Sequence, residues 1–235
     1  MLPIMHSPKY TATLPSTKSK IEFKPFVVKQ EKVLLMALEG GDQGEIIRAI
    51  LNLLDECIVT KKINVYDLPT FDVEYIFLKV RSKSVGEEIE MMVRHSDGDA
   101  PCTKRTQVVV PLDKVKVKGK ISSGKISLTE TIGIKLNYPS FKTTYSPTKI
   151  DVEEAFNIIY NSVDYVWDEN DVYRDFNREE MIDWVGSLNK DQFKRIMDFL
   201  ETTPKLSHSI KWKCEECGKD DRVLVEGLTS FFISR

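Results

Sequence analysis

The stretch "LPTFDVEYIFLKVRSKSVGEE" (residues 68–88) marks the point at which the sequence changes from a helical to a β pattern. We interpret it as a helix over about 70–82, with Phe71 and Leu78 among its core residues. Its β-branched and aromatic residues leave a strand as the alternative. After Gly86, apolar and polar residues alternate as they do in strands. The stretch therefore joins a helical region to a β region, which predicts an α+β protein.

Two further helices are predicted upstream of this stretch. In "VVKQEKVLLMALEGG" (27–41) apolar residues recur at helical spacing, and the final glycine pair is typical of a helix end. The segment "GEIIRAILNLLDECIV" (44–59) has one broad apolar face, and Asp42 with Glu45 has capping-box spacing before it. Cys57 lies on or near that face, so we interpret it as a small core residue and not as a ligand.

Downstream, three segments alternate apolar and polar residues between turn residues. They are "EIEMMVRH" (88–95), "TQVVVPLDKVKVKG" (106–119) and "GKISLTETIGIKLNYP" (124–139). This pattern predicts an antiparallel β portion of about four to six strands.

The C-terminal part returns to helices and then ends in a short β segment. Three residue pairs have capping-box spacing: Asp151 with Glu154, Asn177 with Glu180, and Asn189 with Gln192. They predict helices near 151–166, 177–187 and 189–202. Two short strands follow, near 207–213 and 221–226, and then a helical turn in "LTSFF" (228–232).

These patterns predict four segments along the chain. The predicted segments are an extended N-terminal arm (1–20), a helical and antiparallel β domain (21–145), a helical segment (146–206), and a C-terminal knuckle with its tail (207–235). The arm is predicted from its many Pro, Ser, Thr and Lys residues and its few apolar ones.

Composition narrows the class of protein. The 235 residues carry a formal net charge of −2, whereas a general nucleic-acid binder usually shows a strongly basic surface. No apolar run approaches the roughly 20 residues that cross a bilayer, and the N-terminus lacks the pattern of a signal peptide. We therefore expect a protein made in the cytoplasm, without a membrane partner.

No catalytic signature is present in the sequence. There is no Gly-rich phosphate loop, no GxSxG elbow and no HExxH helix, and His6, His95 and His208 are scattered. We therefore expect no enzymatic activity and name no catalytic or cofactor-binding residue.

The segment "KCEECG" (213–218) carries the one motif with clear chemistry. Cys214 and Cys217 form a CxxC between two predicted strands, which is typical of a zinc knuckle. A structural zinc site needs four ligands, and the sequence has no second CxxC. His208, six residues before Cys214 and of the same strand parity, is the first candidate for a third ligand.

The remaining ligands and the role of the motif stay open at this point. His95 and Cys102 could fold back from the β portion, or a partner chain could supply a ligand. The alternatives to bound zinc are a metal-free knuckle that serves packing and a redox pair. Redox CxxC motifs begin a helix within a βαβ unit, a setting that this sequence does not show.

Several of these stretches together resemble one protein family. "IEFKPFVVKQEKVLLMAL" (21–38), "FDVEYIFLKVRSKSVGE" (71–87), "CEECG" (214–218) and "EGLTSFF" (226–232) are similar, in this order, to the baseplate hub protein family of T4-like contractile-tailed bacteriophages. The resemblance runs from about Ile21 to the C-terminus, and the 71–87 block is its most specific part.

The resemblance implies a virus tail protein that acts by binding and not by catalysis. Its implied partners are other tail and baseplate proteins, and its implied locations are the infected bacterial cytoplasm during assembly and the virion baseplate. It implies a hub component, or alternatively a transient assembly chaperone for hub or tape-measure proteins that is absent from the finished particle. Self-association stays open, and a zinc-ribbon nucleic-acid-binding or regulatory protein is the alternative from another class.

Overall fold

The computed structural model describes residues 6–95, 102–142 and 152–227, which form helices and antiparallel sheets. The helices are α1 (Val28–Gly40), α2 (Gln43–Cys57), α3 (Thr70–Ser84), α4 (Val152–Ser162), α5 (Arg178–Gly186) and α6 (Lys190–Glu201). The strands are β1 (Tyr10–Thr13), β2 (Lys20–Phe23), β3 (Glu88–Val93), β4 (Thr106–Pro111), β5 (Lys116–Lys118), β6 (Lys125–Ser127), β7 (Gly133–Leu136), β8 (Val163–Trp167), β9 (Val172–Tyr173), β10 (Lys205–Lys213) and β11 (Asp220–Glu226). This content confirms the predicted α+β class.

The chain divides into two compact units. The first unit comprises Met1–Val65, Phe71–Lys118 and Lys205–Arg235, and the second unit comprises Tyr66–Thr70 and Gly119–Pro204. This division differs from the predicted segments, because the C-terminal hairpin belongs with the first unit, where β10 pairs with β5. The sequence alone does not show a pairing between strands so far apart along the chain.

Helix α3 is a core element of the first unit, and it confirms the helical interpretation of the opening stretch. Its fully buried side chains include Phe71, Ile76, Phe77 and Val80. Buried residues lie all round this helix, which is typical of a helix inside a core and not of a surface helix. Its Leu78 belongs to a buried cluster with Ile89, Val110, Leu112, Val115, Leu206 and Val225.

Helices α1 and α2 begin and end close to the predicted positions. Gly41 follows α1 with a left-handed backbone (φ 73°), a conformation that glycine adopts without steric cost. The Asp42 carboxylate caps α2 by accepting a hydrogen bond from the Glu45 backbone N–H at 2.8 Å. Cys57 is fully buried at the end of α2, and burial raises the pKa of its thiol to about 11. These findings agree with Cys57 as a core residue.

The N-terminal segment differs from the predicted extended arm from Tyr10 onward. There β1 pairs antiparallel with β2, from Tyr10 opposite Phe23 to Thr13 opposite Lys20. One face of this hairpin is buried through alternate residues: Ala12, Leu14, Ile21 and Phe23. The polar residues that suggested an arm occupy the outer face, as expected for a sheet with one wet side.

A buried carboxylate holds this hairpin to α3. Asp72 is fully buried and accepts hydrogen bonds from the Ser16 backbone N–H, at 3.0 Å, and from the Ser16 hydroxyl. Burial raises the pKa of Asp72, while the hydrogen bonds from Ser16 oppose that rise. Ser16 therefore stabilises the ionised form of this carboxylate against the effect of its burial.

Ser16→Ala is expected to lower the free energy of unfolding by about 1.5–3 kcal/mol, the usual contribution of a hydrogen bond to a charged group. Chemical denaturation of the two proteins measures the difference. Ser19→Ala is the matched control, because Ser19 lies in the same turn and is exposed. An equal effect of the two substitutions would contradict the role given to Ser16.

Two antiparallel sheets complete the first unit. One pairs β3 with β4, from Glu88 opposite Pro111 to Val93 opposite Thr106. The other has the strand order β11-β10-β5. β10 and β11 form the predicted C-terminal hairpin, with Lys213 opposite Asp220 next to the connecting turn.

The second unit packs helices α4, α5 and α6 with a sheet of order β6-β7-β8-β9. Asn177 and Asn189 cap α5 and α6 through the predicted capping boxes with Glu180 and Gln192. The predicted cap at Asp151 lies outside the described residues.

One predicted helix is shorter than expected. The segment predicted as a helix over 151–166 forms α4 only to Ser162 and continues directly as strand β8. β8 pairs with β7 on one side and β9 on the other, so its Val163, Tyr165 and Trp167 occupy a paired strand. β-branched and aromatic residues suit such a position, which explains why the helix ends there.

No helix in the described ranges has the length and apolar character needed to cross a membrane. The helical turn predicted for "LTSFF" (228–232) falls outside those ranges.

Candidate metal centre

The turn between β10 and β11 positions both cysteines of the CxxC motif. The Cys214 N–H donates to the Lys219 carbonyl and the Gly218 N–H donates to the Cys214 carbonyl, both at 2.9 Å. Gly218 has a left-handed backbone (φ 74°), so a glycine suits the end of this turn. Hydrogen bonding from the backbone N–H groups of Cys217 and then Glu216 lowers the pKa of the Cys214 thiol.

The β3–β4 hairpin brings a second pair of donors to the same place. His95 follows β3 and Cys102 precedes β4, and the strand ends meet where Val93 pairs with Thr106. His95 Nδ1 lies 3.8 Å from Cys102 Sγ and 3.6 Å from Cys217 Sγ. The antiparallel register therefore places His95 and Cys102 beside the CxxC turn.

These four side chains form one compact group of metal-ligating atoms. One ligand atom from each of His95, Cys102, Cys214 and Cys217 lies within 4.8 Å of the other three. His95, Cys102 and Cys214 are buried, whereas Cys217 is exposed. The group could therefore hold a metal ion whose environment is mostly closed to water.

Polar contacts hold the two hairpins together around this group. The Lys104 ammonium pairs with the Glu215 carboxylate at 2.7 Å, and the Lys104 backbone N–H donates to Glu216 Oε2 at 2.6 Å. The Glu215 N–H donates to the Thr106 hydroxyl at 3.2 Å. The hydrogen bond and charge of Glu215 raise the pKa of Lys104, and the charge of Cys214 adds to that effect.

A small apolar cluster lies beneath the group. Cys102 and Cys214 pack in it with Val93, Val108 and Trp212. Burial, followed by the neighbouring thiols, raises the pKa of Cys102. A buried thiol of this kind ionises readily only beside a cation, and a bound metal ion is such a cation.

The donor set indicates which metals suit the group. Thiolate sulfur and imidazole nitrogen are the ligands of structural zinc sites of the Cys₃His type. The CxxC turn joins two strands and does not begin a helix, so the helix N-terminus that activates redox cysteines is missing here. The arrangement therefore suits metal binding better than thiol–disulfide exchange.

The structure does not place His208 in this group. His208 lies within β10 opposite Val225, whereas Cys214 follows the end of that strand. Six residues of extended chain span about 20 Å, so a shared strand face does not bring the two side chains to one ion. Of the two possibilities left open for the remaining donors, the structure brings His95 and Cys102 of the β portion beside the CxxC turn.

The sequence indicates that His95 and Cys102 lie close to each other, but it does not indicate that they lie close to the CxxC motif. His95 and Cys102 lie at the facing ends of two alternating segments, which a hairpin would bring together. What the sequence does not show is that this hairpin end meets the β10–β11 turn more than a hundred residues later.

The comparisons with known proteins place nearly the whole chain in one family. The family model described as T4 bacteriophage base plate protein matches residues 7–233. No curated protein and no solved structure matches the chain. The family match confirms the resemblance to T4-like baseplate proteins that the ordered sequence motifs indicated. The chain therefore belongs to the family of T4 bacteriophage base plate proteins.

Proposed function

We propose that the protein is a non-enzymatic component of the phage baseplate hub and takes part in hub assembly through protein–protein contacts. The observation that carries this proposal is the family match over residues 7–233, nearly the whole chain. Membership of a baseplate family implies a structural role in the virion tail and contacts with other tail proteins. Assembly in the host cytoplasm is part of the proposal. Nucleic acid is not a proposed partner, since a net charge of −2 provides no basic surplus.

One face of α1 supports contacts with a partner. The helix is apolar nearly all round, yet Leu34 is its one buried residue. Val28 is 81 % exposed, Met36 61 % and Val33 56 %. Single exposed apolar residues are ordinary on protein surfaces, whereas several on one face of one helix mark an interaction site. We name this face, defined by Val28, Val33 and Met36, the α1 face.

The charges of the α1 face indicate what kind of surface covers it. Val28, Lys32 and Met36 follow one another at four-residue spacing, and Lys29 with Val33 forms the adjacent row. Both lysines are exposed. Glu39, also exposed, follows Met36 by three residues on the same face, so the complementary surface on another tail protein is an apolar ridge with acidic residues beside Lys29 and Lys32 and a basic one beside Glu39.

The double substitution Val33→Asp with Met36→Asp is expected to reduce capture of tail proteins at least tenfold, because it places two carboxylates in an apolar contact. The measurement is affinity capture of the tagged chain from phage-infected cells, with the captured tail proteins identified and quantified by mass spectrometry. Val172→Asp is the matched control, since Val172 is also 56 % exposed but lies on β9. Unchanged capture of tail proteins by the double variant would contradict the role of the α1 face, and capture of no tail protein by the parent chain would contradict the hub proposal.

The composition of purified virions separates the two forms of this proposal. A hub component is expected at a stoichiometric level in finished particles, by quantitative mass spectrometry. Its absence from particles, together with capture of tail proteins during infection, would instead identify a transient assembly chaperone.

The proposed cofactor is one structural zinc ion bound through the CxxC motif. What supports it is the chemistry of the donors, since Cys214 and Cys217 provide two sulfur ligands within 4.8 Å of two further donors. Metal analysis of the purified protein is expected to give about one zinc per chain, in the ratio that a structural site requires.

A further inference from the structure

We infer that the zinc site is complete within a single chain. Cys214 and Cys217 of the CxxC motif supply two ligands, and His95 and Cys102 supply the other two. This inference rests on the zinc ion proposed above and assigns all four ligands. It excludes a ligand from a partner subunit and gives the metal a structural role, which is to join the β3–β4 hairpin to the β10–β11 hairpin.

The distances from the His95 nitrogen to two of the sulfurs are close to those around a tetrahedral zinc ion. With Zn–S bonds of about 2.3 Å and Zn–N bonds of about 2.0 Å, tetrahedral angles place sulfur about 3.8 Å from sulfur and about 3.5 Å from nitrogen. His95 Nδ1 lies 3.8 Å from Cys102 Sγ and 3.6 Å from Cys217 Sγ. The third sulfur, from Cys214, lies within 4.8 Å of the same atoms. A zinc ion at the centre therefore reaches all four donors with only small side-chain movements.

The number of donors and their burial make this a closed site. Structural zinc takes four protein ligands, whereas a catalytic zinc keeps one position for water or substrate. Three thiolates and one imidazole from one chain fill all four positions, and three of these four residues are buried. No position remains for a substrate or for a ligand from a partner.

Contacts next to the four proposed ligands also hold the β3–β4 hairpin against the β10–β11 hairpin. Thr106, which begins β4, accepts a hydrogen bond from Glu215 inside the CxxC turn. Lys104, two residues after Cys102, contacts Glu215 and Glu216 of that turn. Residues next to zinc ligands commonly orient those ligands in this way. The hairpins are thus held together at the ligand positions, and a metal ion there joins segments separated by more than a hundred residues of sequence.

The test compares zinc retention in four variants of the full chain. His95→Ala and Cys102→Ser are expected to weaken zinc binding at least tenfold, since even a residue that only supports a ligand costs 10- to 100-fold in affinity. His208→Ala is the matched control for the histidine and Cys57→Ala for the cysteine, because neither residue belongs to the group. Both controls are expected to retain one zinc per chain. Competition with a chromophoric chelator measures the zinc retained by each variant.

A second measurement on the unaltered protein does not depend on whether the variants fold. X-ray absorption at the zinc edge is expected to show three sulfur neighbours at about 2.3 Å and one nitrogen at about 2.0 Å. Two sulfurs with two nitrogen or oxygen neighbours would overturn the inference, as would one zinc shared between two chains. Absence of zinc from the purified protein would refute the proposed cofactor itself. The hub proposal would be unaffected, because the capture experiment tests it separately.

Discussion

Removal of zinc is expected to lower the free energy of unfolding of the first unit by several kcal/mol, the largest effect of any change considered for that unit. The apolar cluster beneath the metal centre is small: besides Cys102 and Cys214 it contains Val93, Val108 and Trp212. Even with the partly buried Met91 and Val223 packed against it, this cluster buries little apolar surface, so the hairpin ends gain only limited stability from apolar contact. Binding of metal by residues that come together only in the fold therefore stabilises the folded state directly.

Hydrogen exchange followed by mass spectrometry measures this effect at the place where it arises. Chelation is expected to speed exchange at the turn-proximal ends of β10 and β11 and at the facing ends of β3 and β4. The helices of the second unit serve as the internal reference, because none of the four proposed ligands lies in that unit. Equal exchange with and without chelator in these strands would contradict a structural role for the metal.

Cys57→Ala separates loss of metal from loss of core packing. Cys57 is fully buried in the first unit but lies outside the ligand group, so its truncation is expected to lower stability by about 1–2 kcal/mol without releasing zinc. Cys214→Ser is expected to lower stability and release zinc together. An equal change in the stability of the two variants on addition of zinc would contradict the link between metal binding and stability.

Features that depend on neighbouring residues could be predicted from the sequence. The caps at Asn177 and Asn189 use a partner three residues away, and the glycine after α1 ends that helix by its own backbone conformation. Helix α3 was predicted correctly, but its β-branched and aromatic residues left a strand as the alternative, because burial on all sides removes the periodicity that normally distinguishes a surface helix from a strand.

Features that depend on distant contacts could not be predicted with the same detail. The N-terminal hairpin is anchored by Ser16 to Asp72, 56 residues further along the chain, so the polar composition of the segment suggested an arm. The candidate metal centre depends on a turn and a hairpin that meet across more than a hundred residues of sequence. His208 has the same strand parity as Cys214. Parity determines which face of the strand a side chain occupies, but not how far it lies from another residue on that face.

In the second unit, Gly133→Ala is expected to lower the free energy of unfolding by about 3 kcal/mol or more, as overpacking against backbone does in its severe cases. Gly133 begins β7 and lies between Ser127 of β6 and Trp167 of β8. A Cβ atom there would lie 2.1 Å and 2.5 Å from two carbons of the Trp167 ring and 2.6 Å from the Ile126 carbonyl oxygen. Each separation is well below van der Waals contact, which is about 3.5–4.0 Å between carbon atoms.

The two neighbours differ in their freedom to move, and this difference determines the size of the effect. The Ile126 carbonyl is backbone within β6, so relieving its clash requires a shift of the strand itself. The Trp167 ring moves only as a rigid plane about its side-chain torsions, so relieving its clash requires the whole ring to leave its preferred rotamer. Chemical denaturation of Gly133→Ala against the parent protein measures the sum of both clashes.

Gly186→Ala provides the control in the same unit, because a Cβ atom at Gly186 meets nothing within 4 Å. Gly186 is the last residue of α5, where alanine is the better helix former, so this substitution is expected to be neutral or to stabilise by up to about 1 kcal/mol. In the double variant with Trp167→Ala, the ring clashes disappear while the Ile126 clash stays. The effect of Gly133→Ala is therefore expected to become smaller but not to vanish. An unchanged effect would assign the whole cost to the β6 backbone, and a neutral Gly133→Ala would contradict the close packing of β6, β7 and β8 on which the sheet of the second unit depends.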